Sequence, residues 1–258
     1  MFQCDHLRKN REARIFIQEK APELIVVVAF GQILDREFFS YPRLGALNIH
    51  ASLLPKYRGA SPIIKAILSG ERETGVSIMK INEEMDTGDI LAQERVPIEP
   101  NITAGELTDI LAQEGAQLMM DTIPDYVRGD LEVWAQDDRQ SSTAPRITKK
   151  QARIDWRETA HVIHNQVRAL NPWPVALTSF RGGILKVWRT EKTNRPPENV
   201  EILRHPGRTC RSGDGGIIVE CGKGTFLLLK ELQIAGRKRI SAAEFRNGIR
   251  LLEGEILE

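Results

Sequence analysis

The sequence predicts an α/β domain built on an open parallel sheet, followed by a smaller domain of short antiparallel strands. Three observations carry this. Residues 24–30 (LIVVVAF) form a nearly continuous β-branched run, the pattern of a strand covered on both faces, and Gly31 permits a tight turn at its end. Helix-like and strand-like segments then alternate to about residue 127. Beyond residue 146 the pattern changes to short β-rich runs separated by glycine pairs, as hairpins require.

Residues 5–20 place Leu7, Ala13, Ile15 and Phe16 at helical spacing, ahead of the first strand. A helical or irregular connector, 35–41, leads to a second strand over 44–50. Ser61 and Pro62 read as the N-cap and first position of a helix that runs to Leu68 and is closed by Gly70. A third strand is expected over 75–81 and a fourth over 89–98. Thr103 and Glu106 make a capping box that opens a helix with Leu107, Ile110, Leu111, Leu118 and Met119 on one stripe. Gly115 falls on that stripe, where it lowers helix propensity but admits a close neighbour.

Residues 130–146 are polar and include Gln140-Ser141-Ser142-Thr143-Ala144-Pro145, so 129–150 are expected to link a first domain, 1–128, to a second, 151–258. In the second, a helix is expected over 157–170, with turns at Arg181-Gly182-Gly183, at Gly213-Asp214-Gly215-Gly216 and at Gly222-Lys223-Gly224. A last helix, 241–249, takes Ser241 as its cap.

Composition narrows the function. With 36 Lys and Arg against 35 Asp and Glu, the net charge of +1 excludes blanket coating of a polyanion and leaves only local basic patches. The N-terminus is charged at once and the longest apolar run is too short to span a bilayer, so a cytoplasmic location is expected. Cys4, Cys210 and Cys221 are odd in number and lack C-x-x-C spacing, which signals neither a disulfide framework nor zinc. No glycine-rich phosphate loop is present. Glu83, Glu84, Asp86 and Asp89 crowd one loop but lack the twelve-residue calcium pattern, so it reads as a solvated acidic turn and no metal is expected.

The chemistry starts at Asn48 and His50. On a strand they share one face, roughly 6 to 7 Å apart. Such a pair by itself is more often a strand end whose Asn caps a turn. Strands of an open parallel sheet, however, present ligands at their carboxyl ends, which would gather Gly31, His50 and the loop after Ile81 at one edge. An Asn, a His and an Asp meeting there suit attack of an amine on a carbonyl. The Asn48 amide and a protonated His50 would stabilise the oxyanion, and Asp86 would favour the cationic imidazole and accept the amine proton, directly or through water.

The run Asn48-Ile49-His50-Ala51-Ser52-Leu53-Leu54-Pro55-Lys56-Tyr57-Arg58-Gly59, followed by Met85-Asp86-Thr87-Gly88-Asp89, resembles the signature of the 10-formyltetrahydrofolate-dependent formyltransferases, and within them the branch that formylates methionyl-tRNA. Ala152-Arg153-Ile154-Asp155-Trp156, Asn171-Pro172-Trp173-Pro174 and Ala235-Gly236-Arg237-Lys238 resemble the second half of that branch in the expected order. The resemblance implies a Rossmann-like formyltransferase domain joined to an OB-like β-barrel that helps hold tRNA. It implies Asn48, His50 and Asp86 as the catalytic trio. Phe30, Gly31, Gln32, Ile33 and Leu34, with Ser52, Leu53, Leu54 and Pro55, match segments that line the folate pocket. The implied formyl donor is 10-formyltetrahydrofolate, the acceptor is the α-amino group of initiator methionyl-tRNA, and the assembly state is a monomer.

Lys56 and Arg58, beside the catalytic strand, are the first expected tRNA contacts. A minority of Lys149, Lys150, Arg153, Arg181, Lys186, Arg189, Arg237, Lys238 and Arg239 would supply others. The family normally carries a strand, a helix and a second strand ahead of the segment that begins here at Met1, so the first domain is expected to be N-terminally incomplete, with an exposed sheet edge. Three further readings share the trio: a sugar-nucleotide N-formyltransferase, a formyltetrahydrofolate hydrolase, and a catalytically impaired tRNA-binding fragment.

Overall fold

The computed structural model describes residues 2–4, 7, 10–32, 34–193, 205–211, 216–252 and 254–258. The expected turn at 213–215, most of the stretch 5–9 and Ile33 lie outside the described residues. The chain divides into two compact units, one made of residues 1–66, 72–98 and 108–146, the other of 67–71, 99–107 and 147–258.

In the first unit, α1 (Arg11–Lys20) begins where the Asn10 side chain accepts the Ala13 amide at 3.0 Å. It is followed by β1 (Ile25–Val28), the single-turn α2 (Arg36–Phe39), β2 (Ala46–His50) and α3 (Pro62–Leu68), after which Gly70 adopts a left-handed φ of 73°. The hairpin β3 (Glu73–Lys80) and β4 (Ile90–Pro97) completes a four-stranded sheet of order β1-β2-β3-β4. The expected parallel relation holds for β1 and β2, whereas β3 runs antiparallel to both β2 and β4, so the sheet is mixed. For β3 and β4 the physical reason is the short connection between them, which has no room for a crossover helix.

The first strand also departs from its reading. Among the described residues β1 has a strand neighbour on one side only, and its residues alternate, with Val26 43% and Val28 58% exposed, instead of being covered on both faces. The long helix α4 (Ala104–Arg128) lies on the face that carries Leu47 and Ile49, over the central strands. A Cβ at Gly115 would sit 2.7 Å from Ile49 Cγ2 and 3.2 Å from Val76 Cγ1, so glycine is what brings the helix onto the strands. Leu47, Ile78, Leu91 and Met119 form the buried core there, at about 1.5–3 kcal/mol for each large side chain removed from water.

The segment expected as a linker is part of this unit up to residue 146. Trp134 and Ile90 exchange backbone hydrogen bonds at 2.9 and 3.1 Å. Arg58 N–H donates to the Ser142 carbonyl at 2.9 Å, and Ala144 N–H donates to the Arg58 carbonyl at 2.7 Å. Polar composition suggested a free strand of chain, but its backbone groups are taken up by β-type pairing.

The second unit matches its expected elements closely. The Thr103–Glu106 capping box is present, with Glu106 Oε2 accepting the Thr103 amide at 2.9 Å. The hydrogen bond from Arg189, backed by the cap, holds the Glu106 pKa down to about 2. α5 (Ala160–Ala169) packs against a curled antiparallel sheet of β5 (Ala176–Phe180), β6 (Gly183–Thr193), β7 (Thr209–Arg211), β8 (Ile217–Cys221) and β9 (Thr225–Ile234), in order β5-β6-β9-β8-β7, with β10 (Ile240–Ser241) beside β9. Arg181 and Gly182, at φ 49° and 75°, make the β5–β6 turn that the glycine pair predicted. α6 (Ala242–Ile249) starts at the Ser241 capping box. The final residues bridge the two ends of the sheet: Leu257 N–H donates to Gly207 O at 2.8 Å, and Glu258 N–H donates to Ser179 O at 3.0 Å.

Candidate active site

Asn48 and His50 stand on the same face of β2, the strand paired on both sides. Asn48 is half-buried, and its carboxamide has no hydrogen-bond partner among the described residues. His50 is only 6% exposed. Its Nε2 lies 3.0 Å from the Tyr57 carbonyl, and because a carbonyl only accepts, Nε2 carries the proton. Nδ1 faces Asp86 Oδ2 at 3.7 Å, an ion pair whenever the ring is protonated there. Both ring nitrogens are thus engaged, which leaves Asn48 as the free donor of the trio.

Asp86 arrives by a route the sequence rule did not foresee. Leu47 pairs with Lys80 and His50 with Ser77, so the carboxyl end of β3 lies beside the start of β2, not its end. The loop after Ile81 reaches His50 only by folding back. Asp86 sits at a left-handed φ of 55°, and its Oδ2 accepts the Gly59 amide at 2.7 Å. The Gln136 carboxamide donates to the carbonyls of Asp86, at 2.9 Å, and Gly88, at 2.7 Å. A Cβ at Gly88 would lie 1.8 Å from Lys80 O, so this return needs glycine. Glu83 and Glu84 are exposed, as a solvated acidic turn should be, and among the described residues no group of three His, Cys, Asp or Glu could hold a metal ion.

The loop that supplies the Tyr57 carbonyl is fixed from below. Ser77 Oγ donates to Ser52 O at 2.6 Å and accepts from Leu54 N at 3.0 Å and from Gln93 Nε2 at 2.8 Å. Gln93 also donates to Leu54 O at 2.9 Å, Ser52 Oγ donates to Lys56 O at 2.6 Å, and Tyr57 N donates to Ser142 Oγ at 3.0 Å. Sequence reasoning missed Ser77, Gln93, Gln136 and Ser142. Ser77 and Gln93 carried a signal, each being a polar residue in a strand at a buried or half-buried position. Gln136 and Ser142 carried none, because their partners are distant in the chain.

Of the expected folate-lining residues, Phe30 is 37% exposed, Gly31 has a φ of 62°, and Gln32 Oε1 accepts the Leu7 amide at 3.2 Å. Leu34, Leu53 and Pro55 are half-buried. Ser52 and Leu54 are buried, Ser52 in the hydrogen bonds just described and Leu54 against Met79 and Ile90. These two shape the loop rather than offer surface.

Among the expected tRNA contacts, Lys56 is exposed and Arg58 is not: its guanidinium side chain is 13% exposed and donates to Gln136 Oε1 at 3.0 and 2.8 Å and to Asp138 Oδ1 at 2.8 Å. In the second unit, Lys149 and Lys150 are exposed on a 3-10 turn, Arg153 is exposed beside them, and Arg237 and Lys238 are exposed on the turn after β9. Arg181 is held bidentately by Glu255, Arg189 by Glu106, and Arg239 by Glu231 with its guanidinium over the Trp188 ring.

Comparison with known proteins is consistent across both units. The family model described as formyl transferase matches residues 5–123, and that described as formyl transferase, C-terminal domain, matches 146–250. A methionyl-tRNA formyltransferase of Halalkalibacterium halodurans is 43% identical over 249 residues, covering 96% of this chain and 76% of the relative. One from Enterococcus faecalis is 39% identical over 229 residues, 89% of this chain and 72% of its own. Among solved structures, HypX from Aquifex aeolicus in complex with tetrahydrofolic acid aligns with a TM-score of 0.68 at 18% identity, covering 91% of this chain and 41% of its own. The sugar 3N-formyl transferase WlaRD aligns at 0.64 and 23% identity, covering 86% of this chain and 77% of its own. At those identities the two structures speak for the fold.

Proposed function

Because this chain belongs to the formyltransferase family, and its relatives at about two-fifths identity are methionyl-tRNA formyltransferases over nearly its whole length, we propose that it transfers a formyl group to the α-amino group of initiator methionyl-tRNA, with Asn48, His50 and Asp86 as the catalytic residues. The contact of His50 Nδ1 with Asp86 Oδ2 beside an uncommitted Asn48 is the observation that carries the assignment of roles.

The family draws on a folate-derived formyl donor, and 10-formyltetrahydrofolate is the form we assign. The residues present fit it: an unpaired carboxamide on β2, the exposed ring of Phe30 and the half-buried Leu34, Leu53 and Pro55 provide a polar point and apolar surface for a pterin. When bound, this donor supplies an electrophilic formyl carbon. The protein's share is then electrostatic and positional. The Asn48 NH2 group donates to the formyl oxygen as negative charge develops there, a contribution worth about 3–4 kcal/mol where such donors have been removed. His50, with Nε2 tied to the Tyr57 carbonyl, presents Nδ1 and the Asp86 carboxylate as a pair that takes the proton lost by the attacking amine and passes it in turn to the donor nitrogen released when its bond to the formyl carbon breaks. The Gly59 amide keeps Asp86 in place for that transfer.

Lys56, Lys149, Lys150, Arg153, Arg237 and Lys238 are the cations we assign to tRNA phosphates, since they are exposed. The cytoplasm, where initiator tRNA is charged, is the compartment this acceptor implies. No helix among the described residues is long and apolar enough to cross a membrane. The test mixes the purified chain with methionyl-initiator tRNA and 10-formyltetrahydrofolate and reads formylmethionine by mass spectrometry. Product is expected. Binding of the tRNA without product, or product from a nucleotide amino sugar alone, would overturn the proposal.

A further inference from the structure

Asp86 is positioned by residues on three separate segments, and one of them, among the described residues, spends its side-chain hydrogen bonds on the backbone of the loop that carries Asp86 and on a half-buried arginine. Both donor contacts of Gln136 go to carbonyls of the turn that carries the carboxylate, those of Asp86 and Gly88. Its only acceptor, Oε1, is filled by Arg58 Nε and Nη2, and Arg58 in turn is fixed by Asp138. Arg58 precedes Gly59, whose amide holds the Asp86 side chain. We propose that Gln136 is a positioning residue for the formyl-transfer reaction: with Arg58 it straps the fold-back of loop 81–89, so that the Asp86 carboxylate reaches His50 although β3 delivers the loop to the wrong end of β2.

The chemistry selects a carboxamide for this place. The turn offers two carbonyls and Arg58 offers two N–H groups, so the strap must donate on one side and accept on the other. Glutamate accepts from Arg58 but sets a carboxylate against two carbonyl oxygens, and leucine fills the space with neither. Without the strap Asp86 loses support at its left-handed φ of 55°.

The inference rests on the catalytic role proposed for Asp86, and a double-mutant cycle separates the two. Gln136→Glu and Gln136→Leu are compared with Asp86→Asn and with each combined change, using kcat and its pH profile, KM for each substrate, and thermal melting. Gln136→Glu is expected to fold and to lower kcat by about 100-fold, as a misplaced catalytic group does, with KM for the folate donor unchanged. It should change the pH profile of kcat as Asp86→Asn does, and add no further loss in the Asp86→Asn background. Wild-type kcat in Gln136→Glu, or losses that multiply with those of Asp86→Asn, would overturn the positioning role while leaving Asp86 catalytic. Wild-type kcat in Asp86→Asn would bring down both.

Discussion

The Gly59 amide donates to the Asp86 carboxylate at 2.7 Å, tying the loop that follows β2 to the loop that carries Asp86. Gly59 has a φ of 120°, and a Cβ there would lie 2.8 Å from Ala144 O. Gly59→Ala should therefore displace this amide and the backbone pairing beside it. A loss of about 1–3 kcal/mol in stability is expected from the strain, with a fall in kcat larger than stability alone explains, read by denaturant unfolding and by formylation rate at a temperature where the variant is folded.

Asn48→Ala removes the free donor of the trio. The expected effect is a fall in kcat of about 10²–10³-fold, with melting temperature unchanged because the carboxamide supports no part of the described fold. An Asn48→Ala enzyme of wild-type rate would remove the oxyanion role.

Ser77→Ala leaves the Leu54 amide without its partner and the Ser52 carbonyl without its donor in a buried place. The cost should be about 1–3 kcal/mol. Unlike Asn48→Ala, it should lower the melting temperature and the formylation rate together, since the same loop carries the Tyr57 carbonyl that anchors His50.

His164 makes the second unit sensitive to acid. Its Nε2 donates to Pro100 O at 2.9 Å, so Nδ1, 2.9 Å from Thr190 Oγ1, accepts that hydroxyl. Burial, with smaller contributions from Arg168, Lys192 and His161, holds its pKa below the ordinary imidazole value, against the opposing pull of the Pro100 carbonyl. The unfolded chain therefore takes up this proton first. Its contribution to stability is complete above the unfolded value near 6.5 and is lost as the pH falls through the lower folded one. Unfolding followed by denaturant between neutral and mildly acid pH should show this loss, and His164→Gln should flatten it.

The exposed lysines at 149 and 150 can be tested through salt. If they neutralise tRNA phosphates, replacing each with Ala should lower affinity and reduce the slope of log affinity against log salt by about 1. Arg58→Lys, by contrast, should leave that slope alone and lower kcat, because its guanidinium is engaged by Gln136 and Asp138.

Local rules were legible where one stretch of chain sufficed. The caps at Thr103 and Ser241, the turn at Arg181-Gly182, the close approach at Gly115 and the placement of Asn48 and His50 on one strand face all follow from nearest neighbours and periodicity. The same rules failed for β1, read as doubly covered, and for residues 130–146, read as linker, because apolar run length and polar composition do not reveal which neighbours a segment will have.

The sequence by itself determined the chemistry: which residue types could stabilise an oxyanion and accept a proton, and that two of them share a face. Tertiary structure decided how the third reaches them. Strand direction is set by pairing between segments distant in the chain, and here β3 runs against β2, so a rule based on parallel strands brings Asp86 to the wrong end. The loop's return is specified by backbone carbonyls, by a glycine that leaves room and by the carboxamide of Gln136, whose partners lie some fifty residues away. Contacts of that range leave no local periodicity to read.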